Sequence, residues 1–415
     1  MSRFSNLSRF FLCGKNREDH STIIWICCMH LFWGIATSMV FSLLPIFIVD
    51  ELGGSAKSFG LLEGTVTFLS FMARLGAGFL MDIFKKRRPM LVTGAALTVL
   101  SKLFLALSFN VGCVFIAKSI DRFAKGLRHA PTDAILADIA SKSGFAYSFR
   151  YMMVVLGAFS GSIITSLLVY GFGQNFRLIF TIAVIPTIIA LYILKTKVKY
   201  KEEDISVLRE KYRWNIMDIA QMPAIYWRFI IAITFLMFNR FSEGFITLMA
   251  KEVLPKSAAQ FPLFMSGYEI LAMVTALVIG KFADKIDQMK LLICGIVVII
   301  SADLFGIFSH DCYTVIAVYL LSGIHMGATQ GLLASTIAKC APKHLVGTAF
   351  ALFYGIEGVT LFISNYLAGI SSHIATACSL KPSAGPFMIG AIASLAAIIC
   401  LCRAAYFRRQ HHPEN

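Results

Sequence analysis

Long apolar runs recur along the whole chain, and few folds can accommodate so many of them. Stretches of about 20 or more mainly apolar residues, the length a helix needs to cross a bilayer, lie at 22–49, 57–82, 89–109, 111–138, 146–171 and 177–195. A charged break follows, from Lys195 to Gln221 (KTKVKYKEEDISVLREKYRWNIMDIAQ). Six further runs lie at 227–250, 261–283, 289–309, 312–340, 345–370 and 384–406. Only 15% of residues are charged and 57% are hydrophobic, whereas soluble domains carry about 25% charged residues. The pattern predicts an all-α membrane protein with 12 transmembrane helices in two six-helix bundles, at 22–195 and 227–406. A linker at 196–226 joins them, and short tails cover 1–21 and 407–415.

Basic residues are distributed unevenly about these spans. Over loops and span ends, Lys plus Arg number 26 on one side and 5 on the other. The positive-inside rule then places both termini in the cytoplasm. It also explains the formal net charge of +15 without a nucleic-acid partner. Ten cysteines show no C-x-x-C or Cys/His cluster, so they read as small apolar residues and not as metal or redox centres. There is no phosphate-binding GxxxxGK[ST] loop, which argues against a built-in ATPase. The basic N-terminus lacks the apolar core of a cleaved signal. No cofactor, metal or catalytic constellation is expected, and so no enzymatic activity. The expected species is a monomer in contact with membrane lipid.

The two halves echo each other. GFLMDIFKKRRPML carries Gly78 and Asp82 after the second run, and GKFADKIDQMKLL carries Gly280 and Asp284 after the eighth. Both read G-x-x-x-D, 202 residues apart, and GFAYSF from Gly144 matches GTAFAL from Gly347 at 203. Two matches at nearly one offset argue for a duplicated six-helix unit.

Against this apolar background, DRFAKGLRHAPTDAILAD (121–138) concentrates six charges in eighteen residues. An ionised group at the bilayer centre costs about 2.5–3.5 kcal/mol. Facing lipid, Lys118, Asp121, Arg122, Lys125 and Arg128 would together cost on the order of 10 kcal/mol, comparable with a domain's whole stability of ~5–15 kcal/mol. They must line a wet cavity or pair internally. Lys118, Arg122 and Lys125 share a helix face. Other polar residues within the runs are Asn239, Arg240 and Glu243, with Asn239 and Glu243 at i, i+4. His325, Thr329 and Gln330 follow in the tenth run, and under the 203-residue offset His325 falls opposite Arg122. The second run carries Glu63 and Arg74, the eighth Glu269 and the eleventh Glu357, and Gly157 with Gly161 forms a close-packing GxxxG.

Two six-helix halves with G-x-x-x-D and a basic cluster after spans 2 and 8 resemble the major facilitator superfamily over essentially the whole chain. The fourth run is similar to a bacterial subgroup reading D-R-x-G-K-G-x-R-x-x-P-R-D-A-L. Asp121, Arg122, Lys125, Gly126, Arg128, Pro131, Asp133 and Ala134 match it, while Ala124 and Thr132 depart. The resemblance implies alternating access in the inner membrane, with helices 1, 4, 7 and 10 lining the path. Lys118, Arg122, Asn239, Arg240, His325 and Gln330 then become candidates for contacting a small, anionic organic substrate, such as a carboxylate metabolite or a metal–siderophore chelate. Glu243 is the first candidate for proton coupling, with Glu63, Glu269 and Glu357 as rivals. Asp82, Asp121, Lys125, Arg128, Asp133 and Asp284 are assigned to gating. The rival expectation is a proton-driven exporter of hydrophobic drugs, in which these cations only lock the gate. Family antiporters often carry Gly-Pro in the fifth helix, where residue 162 is Ser.

Overall fold

The computed structural model describes residues 17–84, 87–139, 143–198, 222–254, 259–282, 286–342 and 345–411. Among these all regular structure is helical, and helices occupy every run read above as a span. They are α1 (Arg17–Phe41), α2 (Ala56–Phe84), α3 (Arg87–Ala106), α4 (Val111–Ile139), α5 (Ser143–Phe172) and α6 in two pieces (Phe176–Ile182, Val184–Thr196). The second set is α7 in two pieces (Ala224–Met237, Gly244–Val253), α8 (Gln260–Phe282), α9 (Gln288–Ile307), α10 (Cys312–Cys340), α11 (Val346–Ala377) and α12 (Ala384–His411). Among the described residues, nine stretches are long and apolar enough to cross a membrane. Bulky apolar side chains such as Leu167, Tyr170 and Ile392 are exposed, as suits helices solvated by lipid.

Helix α1 continues past Phe41 through Leu44–Ile46 and a π turn at Phe47–Glu51. Pro45, which lacks the N–H of a regular turn, marks this distortion. Two compact units divide the chain, one formed by Met1–Val40 with Met72–Arg209 and the other by Phe41–Phe71 with Glu210–Asn415. The division between the units falls at Arg209/Glu210, within the 196–226 linker, and also inside α1 and α2.

Small residues explain the close packing within each unit. In the first, a Cβ on Gly157 would lie 2.2 Å from the Leu31 carbonyl oxygen, and one on Gly161 2.5 Å from that of Ile35. The GxxxG of α5 thus lets α1 approach to backbone contact. Ser162 follows it and bonds Ser38 of α1 at 2.7 Å. In the second unit, a Cβ on Gly60 would meet the Asn365 oxygen at 2.3 Å, and one on Gly64 would meet that of Phe362 at 2.8 Å. The N-terminal half of α2 is thereby seated on α11.

The duplication is visible in this packing. A Cβ on Gly94 would strike Arg128 at 2.7 Å, and one on Gly295, 201 positions later, would strike Thr329 at 2.7 Å. Gly126 abuts Ala73, and its equivalent Gly327 abuts Ala272. The offset for these helices is therefore 201, which pairs His325 with Ala124 and not with Arg122.

Candidate functional site

In the first unit the charges of α4 gather around one buried acid. Asp121 accepts an ion pair from Lys102 of α3 at 3.2 Å and a hydrogen bond from Ser101 at 3.3 Å. Arg122, Arg128 and Lys118 all act electrostatically on the same carboxylate. Lys102, Lys118, Asp121 and Arg128 are buried, and Arg122 and Lys125 are half-buried. Four cations thus act on one carboxylate. Arg128 also lies 4.0 Å from the centre of the Trp33 ring, a cation–π contact that offsets part of its desolvation. Lys125, with Arg128 and Arg150, acts electrostatically on His30. His30 bonds the Ile26 carbonyl at 2.8 Å and packs against Trp33 and His129. Farther along α4, Asp133 pairs with Arg150 of α5 at 2.8 Å.

In the second unit the site is built on a break in α7. Helix stops at Met237 and resumes at Gly244, so Asn239 and Glu243 do not share a continuous helical face. Asn, Ser and Gly in FNRFSEG are weak helix formers, but the break also needs partners for the freed backbone groups. The N–H groups of Asn239 and Arg240 turn back to the carbonyls of Leu236 (3.0 Å) and Met237 (3.1 Å). The Ser242 N–H donates to Asn365 Oδ1 at 2.8 Å, and the Phe238 carbonyl accepts from Ser364 at 2.8 Å. Both partners lie on α11.

The two polar residues at the break point to different places. Asn239 donates to Asp303 of α9 and Ser394 of α12, each at 2.7 Å. Arg240 instead donates to Gln330 (2.7 Å) and Thr329 (2.5 Å) of α10. Around Arg240, within electrostatic reach, are Glu243, Glu357, Tyr268 and His325. Tyr268 donates to Glu243 at 3.0 Å, and Glu63 and Glu269 act on Glu243 as further acids. His325 is pinned to the Gly295 carbonyl at 2.8 Å. One arginine and four carboxyl groups therefore form a connected polar cluster, the reverse of the balance around Asp121.

Of the candidates taken from sequence, Arg240, His325, Gln330, Glu63, Glu243, Glu269 and Glu357 come together here, while Asn239 belongs to the Asp303 network. Lys118, Arg122, Asp121 and Arg128 come together in the first unit, Lys125 acts on His30, and Asp133 sits in its own pair. The side chain of Asp82 and all of Asp284 lie outside the described residues. Sequence reasoning missed Lys102, Tyr268 and Asp303. Lys102 and Asp303 each carry a lone charge inside an apolar run, SKLFLALS and ISADLFG, and that was a usable signal.

The comparisons agree with this architecture. The profile of the Major Facilitator Superfamily matches residues 26–364 and 229–415. The chain belongs to that superfamily and is an integral, multi-pass membrane protein. It is 26% identical, over 81% of its length and 84% of the relative's, to an uncharacterized MFS-type transporter of Methanocaldococcus jannaschii. It is 24% identical, over 81% and 84% respectively, to a homologue in Lactococcus lactis of the multi-drug resistance efflux pump PmrA. The crystal structure of the nucleoside transporter NupG superposes with a TM-score of 0.76 at 12% identity, covering 94% of this chain and 99% of that one.

Proposed function

We propose that this facilitator is a secondary active transporter of a small anionic organic solute, coupled to protons and working by alternating access. The observation that carries the reading is the gathering of charge in the first unit, where Lys102, Lys118, Arg122 and Arg128 all act on the carboxylate of Asp121. This concentration of cations on α3 and α4 favours an anion, and a carboxylate-bearing substrate contacting Lys118 and Arg122 fits it. The acid-rich cluster around Arg240 supports proton coupling. Four carboxyl groups beside one guanidinium offer places to hold and release protons, and Glu243, hydrogen-bonded to Tyr268, is the first of them. Arg240 and Gln330 are substrate contacts in this reading, with Thr329 holding Arg240 and His325 nearby on α10. Asp82, Lys125, Asp133 and Asp284 serve the gate. All twelve helical stretches cross the bacterial inner membrane, with both termini inside, and the protein works as a monomer without a cofactor or catalytic chemistry.

The relative described as a multidrug efflux pump homologue favours a second reading, the export of hydrophobic compounds, with the cations serving only structure. Ligand-induced thermal stabilisation of the purified protein separates the two. Organic anions should raise Tm, and Arg122→Gln should abolish the rise. Glu243→Gln should leave anion binding in place while removing the pH dependence of uptake into vesicles. Stabilisation by lipophilic compounds alone, unchanged in Arg122→Gln, would overturn the anion reading.

A further inference from the structure

At one end of the second unit, a groove of about 630 Å³ runs between the start of α7 and the end of α12. Arg228, Ile231, Cys402, Arg403, Tyr406 and Phe407 line it, and none of its lining residues is acidic. The Arg228 guanidinium carbon stands 3.2 Å from the centre of the Phe407 ring, a cation–π contact that ties α7 to α12. Among the described residues neither Arg228 nor Arg403 has a carboxylate partner. The groove opens outward from the bundle: Arg403 and Cys402 are exposed, as are the apolar Ile231 and Tyr406. Farther along the same helices, Phe235 and Ile399 are exposed as well.

This is a two-part surface. Two arginines stand at helix ends among aromatic rings, where a membrane headgroup layer begins, and an exposed apolar strip runs away from them toward the hydrocarbon. Arginine's planar fork suits phosphate oxygens, and basic pockets between helices on the cytoplasmic side favour anionic headgroups. We infer that the groove binds one anionic phospholipid, its phosphate held by Arg228 and Arg403 and an acyl chain lying along Ile231 and Phe235. The site is separate from the polar clusters at Asp121 and Arg240. Its test does not depend on the transport reading.

The experiment is thermal unfolding of the full chain in detergent, with added phosphatidylglycerol, phosphatidylcholine of the same acyl chains, or inorganic phosphate. Phosphatidylglycerol should raise Tm by a few degrees and saturate, and the other two should not. Arg228→Gln with Arg403→Gln should lose the rise, and the paired Lys substitutions should keep most of it. Equal stabilisation by phosphatidylcholine, by phosphate alone, or of the double Gln variant by phosphatidylglycerol would overturn the site. Should the double variant not fold, Arg403→Gln alone alters only an exposed side chain. Native mass spectrometry should then show its retained phosphatidylglycerol reduced several-fold, and unchanged retention would refute the proposal.

Discussion

Helices α4 and α10 are copies of one element, and they have kept their backbone packing while exchanging their chemistry. A Cβ on Gly94 or Gly295 would meet the equivalent residue of the helix, Arg128 or Thr329, at 2.7 Å, and Gly126 and Gly327 each abut an alanine, on α2 and α8 respectively. At the equivalent place Arg128 of α4 reaches out to Trp33, whereas Thr329 of α10 accepts a bond from Arg240 of the broken α7. The first unit thus holds an acid among cations and the second a cation among acids. Van der Waals fit between helices tolerates almost no change, so duplication preserves it. Buried charge must balance only locally, so each copy is free to settle it in its own way.

The two arrangements differ in how they respond to losing their central residue. Asp121→Ala takes the carboxylate from Lys102, with which it forms a buried ion pair, and from beside Lys118, Arg122 and Arg128, and arginine cannot shed its proton. The loss should reach about 3–5 kcal/mol, enough to give aggregated protein on size exclusion. Asp121→Asn should fare little better, because the charge is what matters. Arg240→Gln removes the single cation from the opposite cluster, where carboxyl groups can take up protons from solvent. Its Tm should fall by much less than that of Asp121→Asn. Equal losses would mean that the two clusters are not electrical opposites.

A second test concerns the packing that the copies share. Gly126→Ala and Gly327→Ala should each destabilise, by about 1–3 kcal/mol. Gly327 should cost more, because its new Cβ would lie 2.2 Å from a backbone oxygen, while that of Gly126 would lie 2.7 Å from the Ala73 methyl carbon. Thermal unfolding of the two variants side by side checks the order.

Much of this was legible in the chain. The apolar runs placed the helices, and the concentration of charge in 121–138 pointed to α4. The break in α7 was hidden because apolar sequence continues on both sides of FNRFSEG, and its stability depends on Asn365 and Ser364, more than a hundred residues away. The union of Phe41–Phe71 with the second unit was equally invisible, since Gly60 and Gly64 acquire meaning only against α11. The sequence matches at 202 and 203 span loops of unequal length, and so they misaligned α10 by two residues relative to the glycine contacts. That error paired His325 with Arg122.

The smallest expected effect lies at the other end of these two helices. Asn110 caps α4 through a bond from the Cys113 N–H at 2.8 Å, and Asp311, 201 positions later, caps α10 through the Thr314 N–H at 2.9 Å. The backbone N–H and hydroxyl of Thr314 hold the Asp311 carboxyl below the usual aspartate range. A depressed folded-state value means the cap contributes fully above the ordinary aspartate value and is lost as pH falls through the lowered one. Hydrogen exchange at Thr314 and Val315, corrected for the intrinsic pH dependence, should therefore accelerate in that acid window. Exchange at Cys113 and Val114 should not, because an amide cap does not titrate there. Asp311→Asn should make α10 behave like α4, and Asn110→Asp should transfer the acid sensitivity to α4. If the exchanged caps leave both profiles where they were, the two helix starts are held by something other than their capping side chains.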